Sequence, residues 1–193
     1  MRYLLLIILI TLIITMGCDD INTAENSIDV YFKQILELDR EMIIGIAKRD
    51  NLSDEMVESQ HFKEIINLVL DKVKYETIHT EIKDKKATVF VNITAPNMMI
   101  ITFRSMVEYI PKALLQAFSA NKQTEDLDSL YNLYIVDALN QNYMPMITSC
   151  IVFVLEKEGE WWTFNEVDGL FDALTGYYGT ALKAFEEEEN EGI

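Results

Sequence analysis

The sequence predicts an α+β fold, an antiparallel sheet of at least four strands packed on one face by helices. Three observations predict it. Apolar side chains recur at helical spacing in five stretches, and two pairs of shorter stretches switch to period two around turn residues. The order is two helices, a hairpin, two helices, a second hairpin and a closing helix, a segregation that places helices against an antiparallel sheet. A chain of 193 residues that is 50% hydrophobic, with 7 Gly and 3 Pro, fits one compact domain and excludes a low-complexity chain.

The first helix is expected over Ser27 to Lys48, where Ile28, Phe32, Ile35, Met42, Ile43 and Ile46 share a stripe. Asp50-Asn51 breaks it. Ser53 then offers an oxygen to the free N–H groups of a second helix carrying Met56, Phe62, Ile65, Ile66, Val69, Leu70 and Val73, and the two helices are expected to pair. Strands follow over Tyr75 to Ile82 and Lys86 to Ala95, turning at Asp84-Lys85. Pro96 closes the second strand, and Asn97 caps a third helix whose stripe includes Ile101, Val107, Ile110, Leu114 and Phe118, bent at Pro111. A fourth helix starts at Thr124 and carries Leu127, Leu130, Tyr131, Tyr134, Ala138 and Leu139.

Met146 to Lys157 alternates apolar residues on both faces, which predicts a central strand covered on both sides. The two hairpins would then form one sheet. Glu158-Gly159 signals the turn into a return strand, Glu160 to Asn165, and Asp168 is placed to cap a last helix reaching about Phe185. Gly176 and Gly179 loosen that helix around Tyr177-Tyr178.

At the N-terminus, Arg2 precedes an uncharged run from Tyr3 to Met16 that is shorter than the roughly 20 residues a membrane-spanning helix needs. It reads as an export signal. Thr15-Met16-Gly17-Cys18 resembles the lipobox of bacterial lipoproteins, which implies cleavage before Cys18 and diacylation of its sulfur. The organisation expected is a signal peptide over 1–17, the lipidated cysteine and a polar tether over 18–27, one α+β domain over 28–185 and a solvated acidic tail over 186–193. The implied location is the extracytoplasmic face of the cell membrane. A net charge of −16 repels both nucleic acid and an anionic bilayer, so no nucleic-acid partner is expected and the membrane is held through lipid rather than basic side chains.

The mature chain also resembles a group of bacterial lipoproteins of unassigned function with a nuclear transport factor 2-like domain. The residues carrying the resemblance are Lys74-Tyr75, Ala87-Thr88-Val89, Ile93-Thr94-Ala95-Pro96, Pro111-Lys112-Ala113-Leu114, Trp162, and Asp172-Ala173-Leu174-Thr175-Gly176. The resemblance implies a cone with a cavity between sheet and helices. That scaffold hosts enzymes, binders and interaction modules alike.

Chemical motifs are sparse. No C-x-x-C, G-x-S-x-G, P-loop or EF-hand pattern occurs, and His61 and His79 lack the spacing of a zinc site, so no metal, cofactor or catalytic residue is assigned. Cys150, inside the longest strand, reads as a buried inert thiol. Trp161, Trp162, Tyr177 and His79 are the candidate ligand-binding residues, with the two tryptophans on opposite faces of one strand and one of them in the core. The preferred function is a noncatalytic domain binding a small apolar ligand or an envelope protein. Two alternatives stand beside it: a small enzyme using His79 or Asp168 as acid or base in a cavity, and a module that forms a homodimer through an exposed sheet face.

Overall fold

The computed structural model describes residues 20–21, 23–38, 41–118, 127–164 and 167–191. It is a mixed α+β structure built on one open four-stranded antiparallel sheet, in the order β1 (Lys74–Lys83), β2 (Lys86–Pro96), β3 (Met146–Glu158) and β4 (Trp161–Phe164). Both expected hairpins are present, and β2 beside β3 joins them. The first turns at Asp84-Lys85, with Asp84 at φ +57. The second turns at Gly159-Glu160, one residue later than expected, because Gly159 supplies the positive φ the turn requires.

The sheet buries one face. On β2, Ala87, Val89, Val91 and Ile93 are fully buried, and Phe153 and Leu155 continue that surface on β3. Across it lies α1, a helix over 23–33 that runs on into a π-helical turn, Gln34–Leu38, with Ile28, Phe32 and Ile35 all buried. Phe32 stacks on Tyr75 with ring centroids 4.3 Å apart and meets Phe153 edge-on at 5.8 Å.

Polar bonds fix the start of α1. Trp162 Nε1 donates to Thr23 Oγ1 at 3.0 Å, Thr80 Oγ1 donates to Glu25 Oε1 at 2.7 Å, and Lys157 pairs with Asp20. The expected tether is corrected here. Residues 20–21 and 23–27 are helical and docked, because Ala24 finds an apolar seat and Thr23 and Glu25 find hydrogen-bond partners on the sheet.

The remaining helices are α2 (Glu41–Arg49), α3 (Asp54–Glu58), α4 (Gln60–Leu70), α5 (Met98–Phe118), α6 (Leu127–Leu139), α7 (Leu170–Thr175) and α8 (Tyr178–Glu191). The second expected helix is split. Ser53 caps α3 by accepting from Met56 N–H, but Ser59 is extended and caps α4 by accepting from Phe62 N–H at 3.1 Å. Rather than forming a simple pair, α2 and α4 each pack on α7.

That short helix buries Leu170, Phe171, Ala173, Leu174 and Thr175 and also packs on β2, β3 and α8, so it fills the part of the inner face that α1 leaves. Its N-cap is Gly169, with no side-chain bond, and Asp168 does not take the expected capping role. The closing helix breaks at Gly176-Tyr177, and α8 continues through 191, so most of the tail expected to fray is helical.

Two other expectations change. Asn97 caps α5, accepting from Ile100 N–H at 3.2 Å, and Pro111 lies inside the helix. The buried side of α5, however, carries Met98, Ile101, Thr102 and Ser105, while Val107, Ile110, Leu114 and Phe118 are exposed. The helix is apolar on two sides, and periodicity alone does not say which side meets the domain. On β3, Cys150, Val152 and Val154 are exposed, so the strand is covered on one face only. Thr124 lies outside the described residues.

Gly176 joins these parts. At φ +58 it ends α7, and its carbonyl accepts from the N–H groups of Met98 at 2.9 Å and Met99 at 3.3 Å, satisfying donors at the start of α5 that have no partner within the helix. A Cβ there would lie 1.8 Å from the Pro96 carbonyl oxygen. Gly176→Ala should therefore lower stability by about 2–5 kcal/mol in urea unfolding, from left-handed strain plus a backbone clash. Gly159→Ala, at φ +67 with open space around it, should cost only about 1–2 kcal/mol, and equal losses would contradict this account.

Burial also sets an alkaline limit. The Tyr131 hydroxyl is pushed up to about 12, and that of Tyr178, stacked against Phe62, is raised first by burial and then by Tyr131. The folded state therefore keeps protons that the unfolded chain, with tyrosines titrating near 10, has already lost. Stability from these two groups is intact below about pH 10 and declines as pH rises toward 12. Thermal melts from pH 9 upward, read with tyrosinate absorbance, should show the melting temperature falling before these tyrosines ionise.

Candidate functional site

Filling of the inner face by α1 and α7 moves accessible space to the outside. A groove, a cleft and a recess open around the described residues, and the buried side chains of β2 line none of these. A groove of about 440 Å³ lies on the outer face of β3, lined by Cys150, Val152, Val154, Glu156, Val167 and Asp168. A cleft of about 260 Å³ separates α5 from α6, and a recess of about 270 Å³ lies between the end of α2 and α7.

The groove follows from unequal strand lengths. β4 pairs only with Leu155 to Glu158, so residues 146–154 of β3 pair with β2 on one side and meet no strand on the other among the described residues. Val152 and Val154 are 41% and 51% exposed, and Phe90 of β2 pairs with Val152 on the same face. At one end Lys86 lies 2.8 Å from Glu156, and the ammonium holds that carboxyl below its usual range by hydrogen bond and charge.

The expected ligand-binding residues do not converge. Trp162 is core, 6% exposed, and spends its N–H on Thr23, whereas Trp161 is 77% exposed on the outer face. His79 is exposed on β1, 3.2 Å from Glu81 Oε1 and tilted toward Phe90. β1 and β4 are the two outermost strands, which separates His79 from Trp161 by three strand spacings, about 14 Å. Tyr177, at φ +66, accepts from Ser149 Oγ at 3.4 Å on the helical side of the sheet.

Asp168 is exposed on the rim of the β3 groove, two strands from His79, so these two groups do not form an acid–base pair. The buried-thiol expectation is corrected, since Cys150 is exposed in the groove. Cys18 lies outside the described residues. Among the described residues no set of three or more His, Cys, Asp or Glu side chains is placed to hold a metal ion, and no helix is long and apolar enough to cross a membrane.

Sequence reasoning missed Val152, Val154 and Val167 as groove residues. The alternation was visible, but a single layer of helices covers only one face, and the shortness of β4 left the other open.

The tryptophans offer a direct check. In the full chain, Trp161→Phe should leave emission shielded from acrylamide, and Trp162→Phe should leave emission that acrylamide quenches readily. Equal quenching of the two variants would contradict the opposite placement of these side chains.

No protein-family model matches the chain, and no curated protein matches it. Among solved structures, the candidate lipoprotein ycdA from Bacillus subtilis subsp. subtilis str. 168 is similar over 71% of this chain at 14% identity, with a TM-score of 0.47. The match spans 44% of the length of that protein.

Proposed function

We propose that this chain is a lipid-anchored protein of the extracytoplasmic membrane face that binds an envelope protein along the uncovered half of β3. The observation that carries the binding reading is the unpaired edge of residues 146–154 beside an apolar groove. An extended partner segment would add a strand there, its main chain bonding to β3 and its side chains lying against Val152 and Val154. The opposite edge is less suited to this. β1 carries a bulge at Ile78 and charged Lys74, Glu76, Glu81 and Lys83, devices that discourage strand addition.

The anchoring reading rests on Gly17-Cys18 after the apolar leader. Asp20, two residues further on, is paired to Lys157, so lipidation at Cys18 would bring the β3–β4 turn close to the bilayer. We read the fold as a nuclear transport factor 2-like cone whose interior is filled by α1 and α7, which supports binding on the outside over catalysis within.

Two measurements test the proposal separately. Mass spectrometry of the processed wild-type protein should find an acylated Cys18 at its N-terminus, and Cys18→Ser should release the domain from the membrane fraction. A wild-type protein with no acyl mass would overturn the anchor. A photo-crosslinker placed at Val152 in cells should yield one specific protein adduct that Val154→Lys abolishes, and an adduct unaffected by that substitution would overturn the binding site.

A further inference from the structure

Beyond the groove, the largest run of exposed apolar side chains lies on α5. Ile100, Phe103, Val107, Ile110 and Leu114 follow one another at intervals of three, four, three and four, the a and d positions of two successive heptads and the a position that opens a third. They are 38–64% exposed. The opposite side of α5 is already occupied. Ile101 and Ser105 are buried, Tyr109 meets Tyr131 of α6 edge-on at 5.6 Å, and the Lys112 ammonium bonds to the Tyr134 hydroxyl and lies 4.5 Å from its ring centroid. The seam therefore faces away from α6. After Ser105 no described side chain of α5 is buried, so the second half of α5 runs on past the core, whereas α6 keeps Ile135 and Leu139 in it.

We propose that two copies of this chain associate through α5, the seam of one packing in parallel against the same seam of the other. Three features favour a second copy as the occupant. A seam of heptad spacing is self-complementary, each side chain finding a hole in the same seam of a second copy. Charge is low and nearly balanced here: Met98–Phe118 holds only Arg104, Glu108 and Lys112, in a chain of net −16 whose copies otherwise repel. The five seam residues expose roughly 500 Å² per copy, so a symmetric pair can bury at most about 1,000 Å², the low end for a specific interface.

Two heptads are short for a free coiled coil, but α5 is already helical and braced by α6, and association need not supply its ordering. Pro111 lies at an e position, so no seam position is itself a proline.

The bilayer is a weaker fit for this face. α5 begins beyond Pro96, whereas Asp20 docks at the Lys157 end of the sheet, ten residue steps or about 33 Å away along β2. That comparison depends on the anchor proposed above. The seam, its charge and its area do not.

The test uses the full chain in its own membrane. Val107→Cys, in a Cys150→Ser background, should form a disulfide-linked species of twice the chain mass on mild oxidation, because facing a positions meet in a parallel pair. Glu55→Cys in α3 should not. In detergent, sedimentation should find a dimer that Phe103→Asp with Val107→Asp converts to a monomer with the parent's far-UV circular dichroism. A monomeric parent chain without the Val107→Cys crosslink overturns the proposal, as does a crosslink from position 107 to a different protein or to the leader. Cys18→Ser should leave the crosslink intact, which separates failure of the anchor from failure of the interface.

Discussion

Phe32 of α1 lies flat on Tyr75 and edge-on to Phe153, and this contact decides how the chain uses its sheet. One face of β2 is apolar at every second residue and must be covered. α1 covers the part where it meets Tyr75, Phe153 and Phe164, and α7 with α4 covers more of β2. Burying Ile28, Phe32 and Ile35 contributes about 1.5–3 kcal/mol each, which is large against the 5–15 kcal/mol that separates folded from unfolded domains. Residues 24–35 therefore belong to the core, and the polar composition before Ile28 conceals that.

Filling the inner face has two consequences. The interior, where a cone-shaped fold would hold a ligand, is occupied by aromatic and aliphatic side chains. Surfaces available for recognition are then the outer face of the sheet and the exposed side of α5. They differ in kind: the β3 edge offers backbone groups and a shallow apolar groove, while α5 offers a row of side chains with a helical repeat. The first accepts an extended segment and the second another helix.

Much of this was legible in the residues. Period-two alternation found all four strands, Asn97 and Ser53 were recognised as caps, and the two tryptophans were assigned to opposite faces. Other points were not. Ser59 as a second cap was hidden because an unbroken apolar stripe runs past it from Met56 to Phe62. The exposed side of α5 was read as core because its heptad spacing satisfies the same periodicity test as a buried stripe. Likewise Cys150 and Val152 were read as covered because apolar composition on both faces of a strand usually means two covering layers.

Local sequence determined the elements and their order, since backbone propensity, capping and side-chain alternation act between residues that are neighbours in the chain. It also determined the strong negative charge and the uncharged apolar run from Tyr3 to Met16. Only the tertiary structure decided which of two apolar surfaces on α5 and on β3 is buried, because that depends on how many layers are available to cover them, a property of distant segments. The same reason places Thr23 against Trp162 and Gly176 against Pro96, contacts between residues far apart in sequence.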